Sequence, residues 1–407
     1  MQTPAVIEHL LEYQADQIEM VLASHRVSGR VMGGVVTPRW VRYQVIPELS
    51  TKISRIIALS EEIALCLGAE QVRVARQGPL IHIEVPRADT QTVRLLKLCR
   101  RLDKIPRQSA ILGLDQAGLP LLLRLSSPEI AHVLIAGTTG SGKTALARSM
   151  ALSLAMYNRL GEVQMLFIDP KGTGFAPFAA IDSAGSGLPH LLRPAVRDIH
   201  QAVFLLGEMV GEMVRRDHEH ISEPRIIIFI DEVADLMEQG GQAMDRLMTR
   251  LTQRGRSAGL HLIACTQKPL AATIGSLTRS NFPVRLVGSV ASADDARIAA
   301  GLPGTGAEKL LGRGDFLLVT KGQVTRFQAA YISDQEISQV VTQLQAGHRT
   351  NRRWIEPADS MAEPASLTPD RLAATGTDGR LTRLAPPGSK RRRGLELMFG
   401  HQLRLIK

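Results

Sequence analysis

The fold of this chain is decided by residues 133–144, which read Val133-Leu134-Ile135-Ala136-Gly137-Thr138-Thr139-Gly140-Ser141-Gly142-Lys143-Thr144. Four apolar residues lead into a segment that fits GxxxxGK[ST], and a helical stretch over 145–156 follows it. Glycines let the backbone of such a loop curl, so that several N–H groups point at one phosphate at the N-terminus of the next helix. The stretch therefore predicts a P-loop nucleotide site between a buried strand and a helix.

The residue types in this loop assign roles around a bound nucleotide. The ammonium of Lys143 is expected to bridge the β- and γ-phosphates, and the hydroxyl of Thr144 is expected to bind Mg²⁺. ATP and Mg²⁺ are thus the predicted ligands. We expect the nucleotide to lie against Gly137, Thr138, Thr139, Gly140, Ser141, Gly142, Lys143 and Thr144.

A second buried strand, residues 225–230, is followed directly by Asp231 and Glu232. Side chains at the C-terminal end of a parallel strand face the same crevice as the P-loop. We expect Asp231 to hold Mg²⁺ through water and Glu232 to polarise the attacking water. An acidic helix N-terminus without a catalytic role is the alternative interpretation. Beside a P-loop, the pair predicts hydrolysis and not only binding.

Two later segments add candidate catalytic residues. The strand 261–265 leads into Gln267, whose amide can sense the γ-phosphate or orient water, unless it is only a satisfied loop amide. Residues 246–259 carry several arginines, which we expect near the active edge of the sheet. One of them can reach the γ-phosphate of a neighbouring subunit, where a guanidinium stabilises developing charge. A solvated basic helix is the alternative.

Composition excludes several classes of protein. The chain has 407 residues, a net charge of +10 and 44% hydrophobic residues, which is ordinary for a globular protein and excludes a wholly disordered one. No apolar run approaches the roughly 20 residues of a membrane-spanning helix, and the N-terminus lacks the layout of a signal peptide. The three cysteines are far apart and form no CxxC, which excludes a disulfide framework and a zinc finger. We expect a soluble, cytoplasmic protein with no membrane segment.

The pattern of apolar segments predicts four regions. They are an N-terminal helix and loop (1–38), a small α+β domain (39–105), an α/β domain with a mostly parallel sheet (106–344) and a basic, flexible tail (345–407). We interpret 29–38 as a loop and 50–67 as one helix. The α/β domain is expected to contain strands at 132–136, 165–168, 226–230, 261–265, 284–287 and 316–319.

The tail carries much of the positive charge. Residues 345–407 contain twelve Lys and Arg against six Asp and Glu, so they contribute +6 of the +10. Such a segment is typical of contact with a polyanion, with nucleic acid the leading candidate, or of a solvated end.

The chain also resembles the motor region of the FtsK/SpoIIIE family of DNA translocases. A weaker likeness to the family's small domain precedes the motor, in 33–38 and 64–69, and the resemblance covers about residues 30–335. Its main stretches are His132–Lys143, Ile168–Lys171, Leu188–Leu192, Ile230–Met237, Arg250–Leu262, Ala264–Pro269 and Gly306–Asp315.

The resemblance implies a RecA-like P-loop ATPase core that closes into a homo-oligomeric, hexameric ring. Such a ring pumps double-stranded DNA through its pore by hydrolysing ATP. In these motors an arginine of the segment matching 253–258 acts on the neighbour's ATP. That role falls on Arg256, with Arg285 and Arg297 as weaker alternatives.

The resemblance also implies DNA contacts. The segment after 268–269 matches a region that faces the pore, so Lys268 and Arg279 are candidates for binding phosphates, with ordinary surface charge as the alternative. Phosphate contact without base readout suits a motor that moves over any sequence.

Two parts of the family pattern have no match in this sequence: the membrane-spanning N-terminus and the C-terminal winged helix that reads orienting sequences. A stand-alone motor is therefore expected. The alternatives are a conjugation or secretion ATPase that moves single-stranded DNA or protein, and a nucleotide-gated DNA-binding protein with little turnover.

Overall fold

The structure, a computed structural model, describes residues 4–77, 80–87, 90–179, 187–267, 280–349, 382–383 and 404–406. These residues divide into two compact units. The first contains the described residues up to 92 together with 116–119 and 382–383, and the second contains 93–115, 120–349 and 404–406.

The first unit packs helices on an antiparallel sheet. The sheet has the order β14-β1-β2-β4-β3, and its core includes Ile18, Tyr43, Ile63 and Ile83. The elements are α1 (Pro4–Ser24), β1 (Gly29–Val36), β2 (Trp40–Pro47), α2 (Ile53–Ala58), α3 (Ser60–Cys66), β3 (Arg73–Gln77), β4 (Leu80–Pro86) and β14 (Thr382–Arg383).

The interpretation of 29–38 as a loop was wrong, because Gly29–Val36 forms β1. This strand pairs with β2 along its length, and Gly33 and Gly34 lie opposite Gln44 and Tyr43 after a bulge. Ladder hydrogen bonds use only main-chain atoms, so neighbouring strands can hold a glycine pair that local propensity assigns to a turn.

The single helix expected over 50–67 is two helices, α2 and α3. They meet at Leu59, whose φ of −84° and ψ of 17° interrupt the helical path.

The second unit is built on a ten-stranded mixed sheet with the order β15-β6-β5-β13-β12-β11-β7-β10-β9-β8. Its elements are α4 (Leu95–Cys99), β5 (Ser109–Asp115), β6 (Pro120–Arg124), β7 (Val133–Ala136), α5 (Lys143–Tyr157), β8 (Val163–Ile168), α6 (Ile199–Glu219), β9 (Arg225–Ile230), α7 (Val233–Arg254), β10 (Leu260–Thr266), β11 (Val284–Val287), α8 (Ala293–Ala300), β12 (Asp315–Thr320), β13 (Gln323–Ala329), α9 (Asp334–Arg349) and β15 (Arg404–Ile406).

The neighbouring strands β8, β9, β10, β7 and β11 are parallel. Successive residues of β10 pack on opposite layers: Ile263 and Cys265 lie in the core that contains α5, whereas Leu262 and Ala264 lie in the core that contains α6 and α7. This burial on both faces explains the unbroken apolar runs of the sequence. It confirms the α/β fold and directs the C-terminal ends of the strands to one edge.

The other half of the sheet is antiparallel except for its outermost pair, β15 and β6, which is parallel. Strands β12, β13, β5 and β6 extend it in that sense from β11. The expected segments 284–287 and 316–319 are strands, but β5, β6 and β13 had no counterpart in the sequence-based prediction. The sheet is therefore mixed, and its parallel half carries the P-loop.

Candidate active site

The segment between β7 and α5 forms the loop that the motif predicts. Gly140 and Gly142 have φ values of 81° and 102°, a left-handed conformation that glycine adopts without steric cost. A side chain at Gly142 would also place Cβ 3.0 Å from the main-chain N of Gly314. The helix α5 begins directly after this glycine, so its free N–H groups face the loop.

Lys143 lies inside this loop. Its side chain is 6% exposed, and Nζ donates hydrogen bonds of 2.8 Å to the carbonyl oxygens of Gly137 and Thr138. Burial lowers the pKa of Lys143, while the carboxylates of Glu232 and Asp231 act in the opposite direction. The ammonium is thus held within the concave face of the loop.

Asp231 follows β9 and meets the residue next to the lysine. The hydroxyl of Thr144 donates to Asp231 Oδ1 at 3.3 Å. Burial raises the pKa of Asp231, the neighbouring Asp169 carboxylate adds to the rise, and the hydrogen bond from Thr144 opposes it. A buried carboxylate, Asp169, and a half-buried one, Asp231, at adjacent strand ends form an environment in which a cation is stabilising.

Glu232 is 4% exposed and directs its carboxylate towards the end of β10. Oε1 accepts hydrogen bonds of 3.1 Å from both the Thr266 hydroxyl and the Gln267 main-chain N–H, and Oε2 lies 3.2 Å from that nitrogen. The side chain of Gln267 reaches the P-loop, because its Oε1 accepts from the Thr139 hydroxyl at 2.6 Å. The three strand ends are therefore linked by hydrogen bonds.

The turn that directly precedes β12 is hydrogen-bonded to the P-loop. The main-chain N–H groups of Arg313 and Gly314 donate to the carbonyls of Gly140 and Ser141 at 3.1 and 2.7 Å. The turn is fixed by the buried carboxylate of Asp315, which accepts from the Leu311 N–H and from the Arg326 guanidinium. These contacts engage the carbonyl groups of Gly140 and Ser141, so these two carbonyls face the turn and not a ligand.

The loop after β8 forms a wall beside Asp231. A Cβ atom at Gly174 would lie 2.8 Å from Asp231 Oδ2, so this loop passes against the carboxylate. Asp169 accepts hydrogen bonds from the Gly172 and Phe175 N–H groups, and Arg148 donates to the Thr173 and Gly174 carbonyls.

The site fits a triphosphate and Mg²⁺. The buried hydroxyl of Ser141 has no hydrogen-bond partner among the residues that the structure describes, and Gly140 has open space where a Cβ would stand. Thr144 and Asp231 supply adjacent oxygen ligands, which Mg²⁺ prefers. An anion in the loop and a cation at Asp231 would satisfy these groups.

The arginine candidate Arg256 lies away from this edge. Arg256 belongs to the turn that precedes β10, beside Arg225 at the start of β9, whereas the P-loop follows the end of the parallel β7. Our expectation that the arginines of 246–259 lie near the active edge was therefore wrong for Arg256 within one chain. A role at a neighbour's nucleotide is compatible with this position and stays a prediction.

Of the two alternatives, Arg285 donates to the carbonyls of Ile298 and Ala299 near the end of α8, and Arg297 pairs with Asp294. The predicted DNA contacts Lys268 and Arg279 lie outside the described residues, as does the basic run 390–393 of the tail.

Sequence reasoning assigned no role to Thr266, Arg148 or the turn at 312–315, which the structure brings to the site. Two signals were present in the sequence: Thr266 ends a buried strand, and both Thr266 and residues 312–315 lie in stretches that resemble the family.

Two family profiles match the chain. The profile of the FtsK/SpoIIIE family matches residues 102–223 and 217–271, and that of the FtsK alpha domain matches residues 2–87. The second match covers most of the first structural unit, and the first includes the P-loop and both carboxylates.

Curated relatives carry the name DNA translocase FtsK. One from Sporosarcina ureae is 34% identical over 366 residues, which are 82% of this chain and 46% of that protein. One from Bacillus anthracis is 33% identical over 361 residues, which are 80% of this chain and 44% of that protein. The chain thus spans about half the length of the curated relatives it matches.

Solved structures share the fold. The pCW3 conjugation coupling protein TcpA, solved with ATPγS, gives a TM-score of 0.55 at 17% identity and covers 83% of this chain and 99% of its own. The type VII secretion ATPase EccC of Thermomonospora curvata gives 0.52 at 23% identity, over 74% of this chain and 40% of its own. No helix among the described residues is long and apolar enough to cross a membrane.

Proposed function

The chain belongs to the FtsK/SpoIIIE family, and on that premise we propose that it is an ATP-dependent motor that moves double-stranded DNA through a homo-oligomeric, hexameric ring. The observation that carries the proposal is the meeting of Lys143, the Thr144–Asp231 pair and Glu232 in one crevice, after the ends of β7 and β9, which both pair with β10. This arrangement combines phosphate binding, metal binding and a carboxylate for water in one crevice.

Each residue has a distinct task in the proposed hydrolysis. The P-loop N–H groups and Lys143 bind the phosphates, and Thr144 and Asp231 would hold Mg²⁺, which supplies charge neutralisation at the phosphates. Glu232 accepts a hydrogen bond from the attacking water. This contact orients the water and lets the carboxylate take up its proton. Gln267, linked to Thr139, lies where it can respond to the γ-phosphate.

Duplex DNA is the proposed substrate because family relatives are named DNA translocases and because the chain carries a net charge of +10. We assign phosphate contacts to Lys268 and Arg279 and place the motor in the cytoplasm, where ATP and DNA are both present. Contacts to phosphates alone would let the motor pass over any sequence.

The substrate is tested by measuring phosphate release with linear duplex DNA, single-stranded DNA and no DNA. We expect duplex to stimulate turnover at least about tenfold more than single strands, because the proposed grip recognises paired phosphate backbones. Displacement of a triplex-forming strand from the duplex would then report movement. Stimulation by single strands alone would favour a conjugation-type ATPase, and nucleotide binding without turnover would favour a nucleotide-gated DNA-binding protein.

Arg256 is our candidate for action on the neighbour's nucleotide. Arg256→Ala is expected to lower DNA-stimulated turnover about a hundredfold, because a guanidinium at the γ-phosphate stabilises developing charge. Arg250→Ala, which removes an exposed arginine of α7, serves as the control and should keep full activity.

Mixing experiments test whether the arginine acts between subunits. Chains with Arg256→Ala retain Lys143, and chains with Lys143→Ala retain Arg256, so mixed rings contain some complete sites. Recovery of turnover on mixing is the expected result. Full activity of Arg256→Ala rings by themselves would place the arginine elsewhere.

A further inference from the structure

Thr266 ends β10 beside the carboxylate that the proposed hydrolysis uses. Its side chain is 1% exposed, and its hydroxyl donates a hydrogen bond of 3.1 Å to Glu232 Oε1. A buried hydroxyl is normally hydrogen-bonded, and this one donates to Glu232, a candidate catalytic residue.

Glu232 does not cap the helix that follows it, although its position would allow this. It occupies the N-cap position of α7, where an acidic side chain commonly accepts from the N–H groups of the first turn. Its carboxylate makes no such capping bond and reaches β10 instead. The residue also has a φ of 71°, a left-handed conformation that is costly for a non-glycine residue and persists where surrounding contacts fix it.

The two carboxylate oxygens are held unequally. Among the residues that the structure describes, Oε1 accepts from both Thr266 and the Gln267 N–H, whereas Oε2 accepts from that N–H alone, at 3.2 Å. A carboxylate offers about four acceptor positions, so Oε2 keeps more unused capacity for a water molecule. The hydroxyl of Thr266 therefore adds a second bond that anchors Oε1 and leaves Oε2 with more capacity for water.

We propose that Thr266 is a positioning residue that fixes the orientation of the Glu232 carboxylate for ATP hydrolysis. This inference rests on the proposed function. The main-chain N–H of Gln267 is present whatever the side chain, so the Thr266 hydroxyl is the part of this anchor that depends on the sequence. Misplacing a catalytic group by a fraction of an ångström lowers the rate without altering how the substrate is bound.

Substitutions at Thr266 separate the hydroxyl from the volume of the side chain. Thr266→Val keeps the shape and removes the donor, and Thr266→Ser keeps the donor. We expect Thr266→Val to lower kcat at least about tenfold with KM for ATP changed less than about twofold, and Thr266→Ser to retain kcat within about threefold. Thr252→Val, at a buried threonine that donates to Thr249 in α7, controls for the loss of a buried hydroxyl and should resemble the wild type.

Crystal structures of the wild type and both variants give a readout that does not depend on turnover. The Glu232 carboxylate should stay anchored in Thr266→Ser and rotate away from its Oε1 anchor in Thr266→Val. The proposal is overturned if Thr266→Val keeps or raises kcat, or if Thr266→Ser is as impaired as Thr266→Val. A wild-type chain without ATP turnover would count against the proposed function. In that case an unmoved carboxylate in Thr266→Val would still refute the positioning role.

Discussion

Replacing Lys143 by alanine is expected to reduce ATP turnover at least about a thousandfold, because the change removes the charge at the β- and γ-phosphates where negative charge develops. Lys143 is 6% exposed and its ammonium is held by two carbonyl oxygens of the loop, so it is already in place when a nucleotide arrives. Phosphate release at saturating ATP, with and without duplex DNA, measures the effect.

The fold should survive this change. The P-loop carbonyls at Gly140 and Ser141 are bonded to the turn before β12 and do not depend on the lysine. Circular dichroism and the melting temperature are therefore expected to stay close to those of the wild type. Lys321→Ala, which removes an exposed lysine paired with Glu129 at the other end of β12, is the matched control. Unchanged turnover in Lys143→Ala would remove the assigned nucleotide site.

Glu232→Gln is expected to lower kcat about a thousandfold and to leave ATP binding intact, since the amide cannot take up a proton from water. The substitution keeps the shape of the side chain, and its carbonyl oxygen can still accept from Thr266 and Gln267. The variant should therefore accumulate with ATP bound. Affinity for a fluorescent ATP analogue, compared with single-turnover hydrolysis, separates the two steps.

A carboxylate on the exposed face of the same helix provides the control for this variant. Glu238→Gln changes the net charge by the same amount without touching the crevice, and it should hydrolyse ATP at the wild-type rate. Hydrolysis by Glu232→Gln within about tenfold of the wild type would assign the water-polarising role to another group.

The substitutions at Lys143 and Glu232 test two different steps of the proposed hydrolysis, phosphate binding and the activation of water. Replacing Lys143 removes the positive charge that binds the phosphates. Replacing Glu232 leaves the phosphates bound and removes only the group that acts on water. A strong effect on affinity is therefore expected for the first variant and a nearly pure effect on kcat for the second.

The sequence by itself determined the P-loop, the strand before it and the strand that ends in Asp231 and Glu232. These features are written in contiguous residues: four apolar side chains fix a buried strand, glycines fix a left-handed turn, and the lysine follows at a set distance. Local steric and hydrophobic effects act over a few residues, so a contiguous pattern is enough to specify them. The α/β class followed from the same apolar runs.

Only the tertiary structure decided which distant residues surround the nucleotide crevice. Gly174, Thr266 and the turn at 312–315 reach the site because the strand order places β8, β10 and β12 as it does, and that order is set by pairing between strands that are separated in the sequence, such as β7 with β10 and β11. Strand pairing likewise made β1 from a glycine-containing segment and placed Arg256 at the opposite edge of the sheet. Strands pair through main-chain hydrogen bonds, which do not depend on particular side chains. A local sequence pattern therefore does not predict which strands are neighbours.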